Sequence, residues 1–84
     1  MTIYVDDLVE WPNGKGEWCH MATDDEDLAK LHELAYKIDL KRSWFQDKPG
    51  FPHYDLRPKK RERAVKLGAV AVSPEELVRL CKRV

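Results

Sequence analysis

The sequence predicts a small single-domain α/β protein, residues 1–84, with a mostly parallel sheet of three to four strands packed by about three helices. Three observations predict it. A chain of 84 residues makes one domain with one modest core. The spacing of its apolar residues switches between strand and helix periods in the order β, β, α, β, α, β, α. Strands separated by helices favour parallel pairing through crossovers.

TIYV at 2–5 sets Ile3 and Val5 against Tyr4, with β-branched and aromatic residues throughout, and predicts the first strand, ending at Asp6 and Asp7. WPNGKG is a loop by its Pro, Asn and two Gly. EWCHM after it reads as extended, with Trp18 and His20 on one face and Cys19 and Met21 on the other. TDDE at 23–26 matches a capping box and predicts a helix from about Asp24 to Ile38. Its buried stripe is Leu28, Leu31, Leu34, Ala35 and Ile38, with His32 on the stripe's edge.

KRSWFQ, short and rich in bulky aromatics, predicts a third strand with Trp44 and Gln46 on one face, followed by the loop DKPGFP. After HYDL, Pro58 suits a first helical position and Gly68 the residue past a C-terminus, predicting a helix over 58–67. AVAV is a brief apolar strand. SPEEL at 73–77, with Ser73 as cap, Pro74 in the first turn and Glu76 at the third position, opens a last helix of about ten residues that buries Leu77, Leu80 and Cys81.

Charge and composition exclude some functions. The 15 basic and 15 acidic residues cancel, whereas a nucleic-acid protein that relies on counterion release is normally basic overall, so any positive patch is local. Cys19 and Cys81 form no CxxC and suit neither a disulfide framework nor a zinc ribbon; they read as buried free thiols in a reducing compartment. No apolar run approaches membrane-spanning length, and the acidic start of MTIYVDD is unlike a signal peptide, so the expectation is a soluble, cytoplasmic protein with no membrane partner. There is no Gly-rich phosphate loop, no GxSxG and no nucleophilic Ser or Cys arrangement, which leaves covalent catalysis the least supported class.

In open α/β sheets ligands bind beyond the carboxyl ends of strands. Three polar clusters fall at such ends in this reading: Asp6 with Asp7, His20, and Gln46 with the loop leading to His53 and Asp55. His53 and Asp55, two apart on an extended segment, share a face on which the carboxylate can orient the ring. Behind them the helix carries a basic run. At 100° per residue Arg57, Lys60 and Arg61 lie on the side of Ala64 and Val65, whereas Lys59, Arg63 and Lys66 form an outward, solvated set. Guanidinium groups beside a helix N-terminus suit a phosphate, which points to Arg57 and Arg61.

Asp6 and Asp7 could hold a divalent cation, Mg²⁺ or Mn²⁺, through hard oxygen ligands, although such a pair is also common in turns. His20, His32 and His53 with Asp55 could form a zinc site, but no two of the histidines have the i, i+4 spacing of a preformed helical pair. Paired histidines and a carboxylate can also act on a phosphoester as general acid and base without a metal. His32 reads as a packing residue, and Tyr54, of opposite parity to His53, faces the core. Trp18 and Trp44 suit the core of so small a domain, or a stack on a base.

The blocks IYVDD, HMATDD, LHELA, RSWFQ, and PHYDL followed by KR, A and GAV resemble, in that order and over nearly the whole chain, the bacterial and phage family DUF4031, a domain of unknown function. The resemblance implies that Asp6, His20, Asp24, His32, Trp44, Gln46, His53, Tyr54, Asp55 and Arg61 belong to the family pattern; it implies no activity. A Ser or Thr often precedes the proline in that pattern where Arg57 stands here, which leaves Asp55 as the alternative cap for the helix.

The functional expectation is a pocket for a nucleotide or another phosphorylated small molecule whose phosphoester it hydrolyses. His20, His53 and Asp55 would be catalytic, Asp6, Trp44, Gln46, Arg57 and Arg61 would bind ligand, and Asp6 would sit on a metal or orient a histidine. The alternatives are a module that sequesters such a ligand without turnover, as a phage-encoded sponge would, and a nucleic-acid accessory protein working through the basic helix. Self-association is compatible with all three.

Overall fold

A computed structural model describes residues 2–83. The strands are β1 (Ile3–Val5), β2 (Val9–Glu10), β3 (Glu17–Thr23), β4 (Tyr54–Leu56) and β5 (Val70–Ala71), and the helices are α1 (Ala29–Lys37), α2 (Pro58–Lys66) and α3 (Pro74–Cys81). The five strands form one sheet. β3 is its centre: β1 and β2 pair antiparallel with one edge of it and β4 antiparallel with the other, and only β5 runs parallel, beside β1.

The sheet is therefore mixed, not mostly parallel, and has more strands than the sequence predicts. The reason lies in the connection from β1 to β3, too short for a crossover helix. It holds instead β2 and a tight turn in which Asn13 and Gly14 both take positive φ (66° and 68°), the conformation of a type I′ hairpin. Trp11 N–H donates to the Gly16 carbonyl at 2.9 Å to close it.

KRSWFQ is not a strand. Arg42–Trp44 is a single 3₁₀ turn, and what remains of the predicted strand is one antiparallel bridge, Gln46 to His53. The predicted helix over 24–38 begins five residues late, because the side chains expected to cap it are committed to the sheet. β3 continues through Thr23, opposite Ile3. The Thr23 hydroxyl donates to the Thr2 carbonyl at 2.9 Å, and the Asp24 carboxylate accepts Thr2 N–H at 2.8 Å. Two successive Asx turns, Asp27 N–H on Asp25 and Ala29 N–H on Asp27, then lead into α1. Its apolar stripe nevertheless buries as the period requires, with Leu31, Leu34, Ala35 and Ile38 inside and Leu28 packed at the margin.

α1 stops at Asp39, which takes a left-handed φ of 64° where glycine is usual. Arg63 of α2 braces this end by donating to the Asp39 carboxylate and the Lys37 carbonyl, both at 3.0 Å. Arg63, predicted to be solvated, thus ties α1 to α2. α3 starts as expected, with the Ser73 hydroxyl accepting Glu76 N–H at 3.1 Å and Pro74 in the first turn.

Strand alternation separates two apolar layers. Val5, Cys19, Met21, Tyr54 and Leu56 face α1 and α2 in the larger core. On the opposite face, Ala22 packs against Leu77 and Cys81 of α3, with Tyr4 and Phe51 around them. Cys19 and Cys81 are buried free thiols. Among the described residues, no helix is long and apolar enough to cross a membrane.

Candidate functional site

The face of the sheet that α3 covers at one end carries the site at the other. His20 in β3 stands directly opposite Asp55 in β4, and His53 lies two residues before Asp55 on the same side. His20, expected near a strand end, is well inside β3, and Asp55 is central in β4. The site is thus built on the face of three adjacent segments rather than beyond strand ends, as the antiparallel pairing around β3 dictates.

Three lone-pair atoms converge. His53 Nε2 is 3.4 Å from Asp55 Oδ1, and His20 Nε2 is 4.0 Å from the same oxygen. The two imidazole centroids are 5.1 Å apart, and Phe51 packs on both rings. Access is from the His20 side: its side chain is 42% exposed, against 6% for His53 and 14% for Asp55.

Each of the three is held from behind. His20 Nδ1 donates to Asp6 Oδ2 at 2.9 Å, His53 Nδ1 donates to the Phe51 carbonyl at 2.8 Å, and the Gln46 amide donates to Asp55 Oδ2. A carboxylate and a carbonyl only accept, so both Nδ1 atoms carry the ring proton and both Nε2 atoms of the neutral rings present lone pairs toward Asp55 Oδ1. Three acceptors meet with no protein donor between them. A proton on one ring would satisfy one pair of these atoms, and a bound cation all three.

Asp6 reaches His20 through an irregularity in the sheet. Val5 opposes Met21 and Val9 opposes Trp18, so β1 and β2 together place one more residue along β3 than β3 offers in return. This is a bulge at Asp6 and Asp7. There, Asp6 N–H donates to the His20 carbonyl (3.3 Å), but the returning ladder bond is made by the side chain: His20 N–H donates to Asp6 Oδ1 at 2.6 Å. The freed Asp6 carbonyl accepts from Arg61 Nε at 2.8 Å. The Asp6 carbonyl and the His20 N–H, parted by the bulge, each find another partner, and the carboxylate ends up against the imidazole.

Electrostatics follow. The hydrogen bond to Asp6 raises the His20 pKa above its ordinary value against the opposing effect of burial, and the charges of Asp6 and Asp55 add to the rise. Burial pushes the Asp55 carboxyl up, but His53 in its protonated form, by hydrogen bond and charge, the charge of a protonated His20 and the hydrogen bond from Gln46 outweigh it and hold it below its ordinary value. Burial, reinforced by Asp6 and Asp55, raises the Cys19 thiol to about 12, so it stays protonated and offers no thiolate.

The remaining predicted residues divide. Asp7 is exposed, and both Asp6 oxygens bond to His20, so the acidic pair is not among the converging atoms. Arg61 lies half-buried behind the cluster, bonded to Asp6 and beside the Cys19 thiol. His32 is outside the site, hydrogen-bonded through Nδ1 to the buried Tyr54 hydroxyl at 2.8 Å and packed on Phe45. Asp55 caps nothing: α2 begins at Arg57 and Pro58 without a side-chain cap, because the Asp55 carboxylate turns to the histidines.

Trp44, Gln46, Asp55 and Arg57 share the wall of a groove of about 910 Å³ with Trp18, Lys59 and Lys60. Lys59, placed outward by helical counting, is exposed and yet borders the groove with Lys60, opposite the segment carrying Trp44. Trp18 is already covered, stacked on Trp11 at 5.3 Å with the Arg57 guanidinium 5.0 Å over its ring and its indole N–H donating to the Lys15 carbonyl. Trp44 is half-exposed and has no aromatic partner among the described residues. Phe51, whose carbonyl fixes the His53 tautomer, has no sequence signal, since a main-chain acceptor can belong to any residue.

No curated protein and no solved structure matches the chain. A family profile does, described as a protein of unknown function (DUF4031), and it spans residues 3–84, which include every residue of the cluster and the groove. The chain belongs to the DUF4031 family.

Proposed function

We propose that this domain binds a nucleotide or another phosphorylated small molecule in the aromatic and cationic groove, and cleaves a phosphoester presented to the His20, His53 and Asp55 cluster. The observation that carries this reading is the shared wall: Gln46 and Asp55 belong both to the cluster and to the groove lined by Trp44, Arg57, Lys59 and Lys60. Trp44, half-exposed with Lys41 Nζ 5.6 Å over its ring, offers an aromatic surface on which a base stacks and a cation beside it. Arg57, Lys59 and Lys60 supply positive charge for phosphate, while the cluster carries the acceptors that activate water. Arg61, bonded to the Asp6 carbonyl, supports His20 rather than the ligand.

Incubating the protein with a panel of nucleotides and phosphorylated sugars, with and without Mg²⁺ or Mn²⁺, and resolving products by chromatography tests this. Turnover that disappears in His53→Ala supports hydrolysis. Stoichiometric retention without turnover leaves a sequestering module. Retention of oligonucleotides alone, with a steep salt dependence, replaces the small-molecule ligand with nucleic acid.

A further inference from the structure

We infer that His20 Nε2, His53 Nε2 and Asp55 Oδ1 are the ligands of one divalent transition-metal ion of the Zn²⁺ or Mn²⁺ type, with Asp6, Phe51 and Gln46 as its outer partners. This goes beyond the proposed reaction and does not depend on it, since the ion is held whether or not the groove is filled.

Geometry is the first support. Ligands about 2.0–2.2 Å from a common ion lie about 3–3.5 Å from one another. The two histidine nitrogens are 3.4 and 4.0 Å from the carboxylate oxygen, and all three atoms fall within 4.8 Å of one another. The His53–Asp55 pair already has this spacing, and an ion would draw His20 Nε2 inward by on the order of 1 Å, a movement the half-exposed His20 ring can supply.

Hydrogen-bond accounting is the second. His53 is nine-tenths or more buried, and its Nδ1 is committed to a carbonyl, so in the neutral ring its Nε2 lone pair faces the partly buried Asp55 carboxylate oxygen with no proton between them. A buried acceptor held face to face with a partly buried one is unfavourable unless something positive lies between them. A proton on His53 would satisfy that pair only. A cation satisfies all three atoms.

The outer partners are the third. Ligating histidines donate their other ring N–H to a carboxylate or a carbonyl, and ligating carboxylates are themselves hydrogen-bonded. His20 has Asp6, His53 has the Phe51 carbonyl and Asp55 has Gln46. Two imidazoles and one carboxylate suit a borderline transition ion over Mg²⁺ or Ca²⁺, which take oxygen ligands. With three protein ligands and the His20 side exposed, coordination positions remain for water or a phosphate oxygen.

The test uses the full chain, dialysed against chelator and titrated with Co²⁺ and with Zn²⁺ in the absence of any nucleotide. Expected are one ion per chain, visible Co²⁺ absorption bands lost on adding Zn²⁺, and no displacement by millimolar Mg²⁺. Because His53 is buried, the mutational arm uses His20→Gln at the half-exposed ring, with circular dichroism to check the fold. It should lose affinity by more than the roughly 10- to 100-fold typical of outer-partner changes. Absence of stoichiometric binding, a folded His20→Gln that binds as wild type does, or equal competition by Mg²⁺ would each overturn the site. Since none of these measurements involves a phosphorylated ligand, failure here leaves the groove reading standing, and failure of the nucleotide panel leaves the ion site standing.

Discussion

Replacing Asp6 by Asn should exchange the tautomer of His20 while leaving the sheet in place. In the wild type, one carboxylate oxygen accepts the His20 main-chain N–H at 2.6 Å and the other accepts Nδ1–H at 2.9 Å. Asn has one oxygen and one NH₂. The main-chain N–H can only donate, so the Asn oxygen must stay on it, and the NH₂ then faces Nδ1. Nδ1 becomes the acceptor, the ring proton moves to Nε2, and the lone pair aimed at Asp55 is lost.

The size of the effect follows from the bonds exchanged. Two hydrogen bonds to a charged group, each about 1.5–3 kcal/mol, become neutral ones at about 0.5–1.5 kcal/mol. Exposure of the His20 side chain discounts the difference to the order of 1 kcal/mol, or about 4–8 °C in Tm for a domain of this size. The loss should grow toward acid. His20 has a folded pKa above its ordinary 6.5 because of Asp6, so the stabilisation is fully present below 6.5 and fades as pH rises through the folded value. Long-range ¹H–¹⁵N NMR of the histidine rings at about pH 8 reads the tautomer directly, and affinity for the transition ion should fall by roughly 10- to 100-fold. A His20 ring that keeps its proton on Nδ1 in a folded Asp6→Asn protein would refute the reasoning.

Trp44→Ala should weaken binding of a base-containing ligand by about 1–3 kcal/mol, read by calorimetry, with Tm nearly unchanged because the ring is half-exposed. Arg63→Ala removes the brace on the end of α1 and should lower stability by about 1 kcal/mol or less in urea, with no change in ligand or ion binding. Asp55→Asn should flatten the acid limb of a Tm-against-pH profile: the wild-type carboxyl, held below its ordinary 3.8, contributes stability that is present above that value and lost as pH falls through the folded one. Gly16→Ala should cost about 1–3 kcal/mol, because φ there is 84° and a Cβ would come within 2.9 Å of the Arg57 guanidinium; an unchanged melting temperature would show that the hairpin relaxes freely.

What was legible in the sequence was local. The stripe of α1, the Ser73 cap of α3 and the strand TIYV each rest on residues within one or two turns of one another, and they formed accordingly. The direction of the strands was not legible, because it depends on which edge of β3 each later segment finds. The capping box at TDDE failed for a related reason: Thr23 and Asp24 had better partners in Thr2, a residue distant in sequence. Among the site residues, His20, Gln46, His53 and Asp55 could be named from their types and neighbours, yet their convergence depends on antiparallel registers between β3 and β4 and between Gln46 and His53. The bond Arg61 Nε makes to the Asp6 carbonyl was not legible, because a basic residue near a helix start suits a phosphate equally well and only the bulge exposes that carbonyl.

That bulge makes fold and site inseparable at Asp6. With a regular ladder, the Asp6 carbonyl would take the His20 N–H, its side chain would have no claim on the ring, and Arg61 would have no carbonyl to hold. The extra residue rotates the carbonyl toward α2 and the carboxylate toward β3, so one carboxylate both closes the sheet and fixes the imidazole. A substitution that removes both oxygens, such as Asp6→Ala, leaves a strand N–H and a ring N–H to find new partners together, while the main-chain carbonyl still holds Arg61, and its loss of function could not be told from a loss of fold. Asp6→Asn keeps the first bond and reverses the second, which is why the chemistry of His20 can be separated from the stability of the sheet at this position.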